Sequence, residues 1–140
     1  MYMAWNDADN VGVPELDLQH QRIFNVLLSL NANPDAATDS ELVADALDEL
    51  TRYGDAHFRA EEALLRAERY PHLDEQLEGH RRFRRVVAEL CFATSAGAGD
   101  VPALLRTFLE TWWEEHIQGA DRRYAAFLRE RTPAGRLPAS

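Results

Sequence analysis

One cysteine, Cys91, occurs in 140 residues, so no disulfide can close within the chain. That suits a reducing compartment. No apolar run approaches the ~20 residues that a bilayer-crossing helix needs. The opening stretch, Met1 to Asn10, has neither a basic start nor an apolar segment of the kind that directs secretion. A cytoplasmic protein without a membrane partner is therefore expected. Internal repeats and low-complexity blocks are missing too, and no strand-like pattern competes with the helical ones. Basic residues are outnumbered, 15 against 24 acidic ones, for a net charge of −9. Such a surface repels polyanions, which argues against nucleic acid as a partner. The one basic patch, Arg81-Arg82-x-Arg84-Arg85, reads as a solvated helix face.

What is present suits one globular domain with a single core, at ordinary apolar and charged usage. Residues 1–130 are expected to form it and 131–140 a flexible tail. An arm from Met1 to Glu15 carries Gly12 and Pro14 and resists a helical reading. Helical spacing then runs from about Leu16 to Asn31, where Asn31-Ala-Asn33-Pro34 stops it. A second helix begins near Asp39 or Ser40, either of which caps a first turn, and continues to about Ala67 across Gly54. Tyr70-Pro71 breaks the chain, and a third helix runs from about His72 to Thr94. After the loop Ser95 to Asp100, Pro102 suits the first turn of a fourth helix that reaches about Gly119, with Asp121 to Arg129 beyond a kink or end there. Four long helices and short loops predict an all-α, antiparallel up-down-up-down four-helix bundle with an extended N-terminal arm.

Four of the five histidines, His20, His57, His80 and His116, fall on different predicted helices at positions that can turn inward. His57 and Glu61 are four apart, so both leave one helix face a turn apart. Gln76 and His80 repeat that spacing on the third helix. His116 and Asp121 are five apart, about 140° around an ideal helix, which calls for a broad site or a kink at Gly119. Metal sites in bundles are assembled in this way, one or two donors from each helix. Imidazole suits iron, zinc, copper and nickel. Two carboxylates, Glu61 and Asp121, can each bridge a pair of ions, with the histidines in terminal positions. Two divalent ions, two carboxylates and a hydroxide leave a net charge of about +1, tolerable for a buried site.

These residues resemble those of bacterial hemerythrins over about Trp5 to Leu128. Trp5 and Val11-Gly-Val-Pro-Glu-Leu-Asp-Leu-Gln-His20 are similar to the family's N-terminal signature. His57-Phe-Arg-Ala-Glu61 resembles its H-x-x-x-E motif, Tyr70-Pro71 with His80-x-x-Phe83 its third-helix region, and Trp112-Trp113-Glu-Glu-His116-Ile117-Gln-Gly-Ala-Asp121 its closing H-x-x-x-x-D. The resemblance implies two iron ions with a bridging oxo or hydroxo group. His20 and His57 would serve one ion, His80 and His116 the other, and Glu61 and Asp121 both. It also implies reversible binding of O2 or a similar diatomic. One ligand departs from the family pattern: a third histidine on the second iron is here Gln76, which would ligate weakly through its carbonyl oxygen or hold a water. His72 lies a further turn away and reads as an ordinary helix start. Trp113 stands where the family usually carries leucine, and either fills space beside Gln76 or simply packs in the core. With Phe24, Leu65 and Ile117 it is a candidate for the apolar O2 pocket. Cys91 reads as a core thiol rather than a ligand.

A site with four imidazoles and two carboxylates is poor in anionic donors, which favours binding O2 over cleaving it. Three classes of function fit the sequence. One is an O2 carrier, store or sensor input, which is not an enzyme. Another is a diiron enzyme acting on peroxide or nitric oxide with a redox partner. The third is a degenerate metal site in an iron-handling or interaction module.

Overall fold

The computed structural model describes Trp5 and residues 9–131. The expected tail lies outside these from residue 132 onward, as does most of the arm before Asp9. All regular structure among the described residues is helical. Helix α1 spans Pro14–Ala32, α2 Glu41–Ala67 and α3 Leu73–Ala96. The fourth rod is composite: α4 spans Val101–Thr111, a π-helical segment Trp112–Asp121, and α5 Arg122–Arg131. Trp112 and Arg122, at the two junctions, keep right-handed helical dihedrals, so the rod is continuous. Together the four rods make the expected helical bundle. Their main contacts run around a ring, α1 on α2, α2 on α3, and α4 on both α3 and α1.

Local chemistry sets the helix ends. Pro14 opens α1, where its missing N–H is no loss. Asp17 turns back to accept the Val11 and Gly12 amides at 2.6 and 3.2 Å, which fastens the arm onto the helix start. Ser40 caps α2 by accepting from the Val43 amide. Gly97 takes the left-handed conformation (φ 65°) that ends α3, and the Ala98 amide reaches back to the Ala93 carbonyl. Asp100 caps α4 through the Ala103 amide. Thr38 ties the two loops at this end together, donating to the Gly99 carbonyl and accepting from the Val101 amide. The Arg81–Arg85 face is less uniformly solvated than expected. Arg81 pairs with Glu78, while Arg84 donates to the Gly54 carbonyl and lies over the Phe58 ring.

Buried apolar residues fall into two clusters. The larger includes Ile23, Phe24, Phe58, Phe83, Leu105, Trp113 and Ile117. The smaller gathers Val11, Val13, Leu16, Leu65, Tyr70, Tyr124 and Leu128. Along each rod at least one candidate polar residue marks the border between the two. His20 separates Leu16 from Ile23, Glu61 separates Phe58 from Leu65, His80 precedes Phe83, and Asp121 separates Ile117 from Tyr124. The bundle is thus an apolar column interrupted by one polar layer.

Candidate metal centre

That layer contains His20, His57, Glu61, His80, His116 and Asp121, all buried. Burying so many ionisable groups together is costly unless each is partnered or holds a cation. The two carboxylates lie between two pairs of imidazoles. Glu61 Oε2 is 3.1 Å from His57 Nε2 and 3.9 Å from His20 Nε2, while its Oε1 is 2.9 Å from His80 Nε2. Asp121 Oδ2 is 3.2 Å from His20 Nε2, and its Oδ1 is 3.2 Å from His116 Nε2. Each carboxylate therefore offers one oxygen to each side. Donor atoms of His20, His57 and Glu61 all lie within 4.8 Å of one another, and so do those of Glu61, His80 and His116. Donors sharing one first-row ion at 2.0–2.2 Å stand at most about 4.4 Å apart. Both groups need only tighten slightly to hold one.

Satisfaction of the buried atoms points the same way. His20 Nε2, His57 Nε2, His116 Nε2 and both Asp121 oxygens are buried and make no well-directed hydrogen bond, although they face one another or Glu61 at 3.1–3.2 Å. Buried polar atoms are normally paired, and a convergent set that is not suits an ion. The residues present fit a two-cation centre on this ground.

The spacing of His116 and Asp121 has a different solution from the expected kink at Gly119. Trp112–Asp121 is π-helical, and π-helices bond i to i+5. The wider turn brings side chains five apart toward one face, so His116 and Asp121 meet at 3.2 Å. Gly119 lies inside this segment without breaking it.

Electrostatics follow from burial and contact. Burial disfavours the charged form of His20, but Asp121 and Glu61 beside it outweigh that and raise its pKa. His80 is raised in the same way by Glu61 and Glu62. For His57 burial wins and the pKa falls. Burial works against the Glu61 carboxylate, yet His57 and His80 hold it well below the usual carboxylate range. In Asp121, burial and Glu61 push upward, and His116 and His20 reverse this to a net lowering. Both carboxylates are therefore poised as anions amid imidazoles.

Several contributors lie outside the residues singled out from the sequence. The His57 Nδ1–H donates to Gln19 Oε1, and the His80 Nδ1–H to Glu62 Oε2, both at 2.7 Å. Each bond orients its ring with Nε2 inward, as orienting groups behind metal-binding histidines do. Tyr124 donates to Glu61 Oε2 at 2.7 Å. Burial, with Glu61 and Asp121 nearby, raises its pKa well above the usual phenol value, so it stays a donor. Tyr124 sits three residues after Asp121, the spacing that could have suggested it. Tyr53 stacks on His57 at 4.5 Å and 10°.

Gln76 is buried on α3, one turn before His80, and neither its Oε1 nor its Nε2 has a hydrogen-bond partner. His72 is the exposed residue before α3 and lies 3.8 Å from Glu75, as a helix start rather than a site member. Cys91 is half-buried at the edge of the larger cluster, less enclosed than a core thiol. Of the four pocket candidates, Phe24, Trp113 and Ile117 share the larger cluster, whereas Leu65 belongs to the smaller one across the polar layer. They do not form one wall. The Trp113 ring packs on Phe24 and Trp5, toward α1 and the arm, which is core packing. It is Trp112 that faces α3, stacking on His116 at 3.8 Å and 11° and packing against Phe83.

Residues 11–128 match the family described as the hemerythrin HHE cation binding domain. A bacteriohemerythrin of Stenotrophomonas maltophilia is 33% identical over 88% of this chain and 79% of its own length. One from Methylococcus capsulatus is 29% identical over 90% of this chain and 96% of its own. A hemerythrin-like protein of Naegleria gruberi is 28% identical, over 89% and 92%. No described helix is long and apolar enough to cross a membrane. With a polar layer of histidines and carboxylates spanning a helical bundle, and a match over most of its length, this chain belongs to the hemerythrin HHE cation-binding family.

Proposed function

We propose that the chain holds two iron ions in the polar layer and binds O2 there reversibly. His20 and His57 serve one ion, His80 and His116 the other, and Glu61 and Asp121 span both. The observation that carries this reading is the split of the carboxylates, one oxygen of each toward each histidine pair. Iron held there would supply the electron exchange that reversible O2 binding requires. The protein's part is to orient and exclude. Gln19 and Glu62 hold two imidazoles inward, and the apolar clusters above and below shield the layer along the bundle axis, while His116 lines a cavity on the α3 side.

Gln76 supports a second reading. An amide is a poorer donor than imidazole, so the second ion is held by fewer strong ligands and oxidises more readily. That favours redox chemistry on peroxide or nitric oxide. Anaerobic loading with ferrous iron, followed by addition and removal of O2, separates the readings. A visible charge-transfer band that fades on O2 removal, at two irons per chain, supports reversible binding. Direct passage to a lasting diferric spectrum selects redox chemistry. Failure to retain two irons rejects both.

A further inference from the structure

Two tyrosines flank the polar layer, one from each apolar cluster. Tyr124, in the smaller cluster, donates to Glu61 Oε2 at 2.7 Å. Tyr53, in the larger one, is 5% exposed, and its hydroxyl has no hydrogen-bond partner. A buried hydroxyl without an acceptor is uncommon in a folded protein and calls for a reason. The indole N–H of Trp112 is buried and unpartnered beside the same layer. An indole can only donate, so however it lies against the phenol it leaves the phenol's own proton without an acceptor.

The ring's placement says which half it serves. Tyr53 lies one turn before His57 on α2, parallel to it at 4.5 Å and 10°, and 6.5 Å from His20. A phenol reaches further from its helix than an imidazole does. Its hydroxyl therefore stands deeper in the bundle than the inward-turned His57 Nε2. Burial raises the phenol's pKa, Asp121 and Glu61 add to the rise, and Trp112 opposes it, so the hydroxyl lies among the layer's carboxylates and the indole. Its other ring neighbours, Phe58 and Phe83 at 5.2 and 5.4 Å, offer no acceptor. We infer that the Tyr53 hydroxyl is the hydrogen-bond donor to a small ligand, O2 or azide, held at the His20/His57 half of the layer. The inference rests on the two-iron reading above and adds a specificity-determining residue to it. A ligand whose outer atom accepts a hydrogen bond satisfies the phenol, whereas one that cannot accept leaves the hydroxyl buried and unpaired.

The test is azide binding to the iron-loaded, oxidised chain, compared with Tyr53→Phe. The variant should keep two irons and bind azide about tenfold more weakly, as for loss of a hydrogen bond to a charged group. The infrared stretch of bound azide should shift between H2O and D2O in the native chain, and the variant should lose that shift. A third readout needs no metal. Because the hydroxyl has no protein partner, the urea midpoint of metal-free Tyr53→Phe should be no lower than that of the native chain. Tyr53→Leu serves for the azide measurements if the first variant does not fold. An unchanged azide affinity, a retained isotope shift in a two-iron variant, or a lowered metal-free midpoint overturns the inference while the two-iron reading stands. If the native chain binds fewer than two irons, both fall together.

Discussion

The two halves of the polar layer are built from the same donors and backed differently. Behind His57 stands a neutral amide, Gln19; behind His80 stands a carboxylate, Glu62. A carboxylate makes its imidazole the stronger donor. The half with the stronger support also has Gln76 buried one turn before His80, and its His116 lines a cavity. Under the two-iron proposal, the contrast teaches that a weak ligand at Gln76 need not be repaired at its own position. Charge behind a neighbouring ligand can offset part of the weakness.

The largest effect should come from removing what the halves share. Glu61→Ala takes one oxygen from each side, and metal analysis should find at most one iron per chain; two irons would remove Glu61 from the site. The supports should separate the halves. Gln19→Ala and Glu62→Ala are each expected to weaken one ion by about 10- to 100-fold, the range for orienting groups behind a ligand. Titration should show a different step affected in each variant, and loss of the same ion in both would erase the contrast. Gln76→His should narrow it, holding the second ion more tightly and slowing oxidation of the O2-bound form. If retention and oxidation rate stay as they were, Gln76 is not the weak point. Smallest is Tyr124→Phe, which deletes one donor to a carboxylate that keeps its imidazole neighbours. Urea unfolding of the metal-free chain should show a loss of roughly 1–2 kcal/mol, and no change would mean that the 2.7 Å contact contributes nothing.

Much of the fold was legible because punctuation and periodicity agreed. Ser40, Gly97 and Pro102 each mark a helix end that the structure uses, and the apolar stripes pointed inward. The six charged or imidazole members of the layer could be picked out because each predicted helix carries at least one such donor, His57 and Glu61 a turn apart on one face. What was not legible depends on contacts between rods. No local pattern aims Gln19 at His57 or Glu62 at His80, since those pairs are 38 and 18 residues apart. The π-helical turn was hidden for another reason: a five-residue spacing departs from the 3.6 period, and it reads as a defect until the backbone is seen to widen around it. Of the two adjacent tryptophans it is Trp112, not Trp113, that packs toward α3.

The central claim is a two-iron layer whose halves differ. Mössbauer spectroscopy of the anaerobic chain loaded with ⁵⁷Fe(II) tests it most directly. Two high-spin ferrous doublets of equal area, at two irons per chain, are expected, with Gln76→His shifting only one of them. A single doublet, or fewer than two irons bound, would contradict the account.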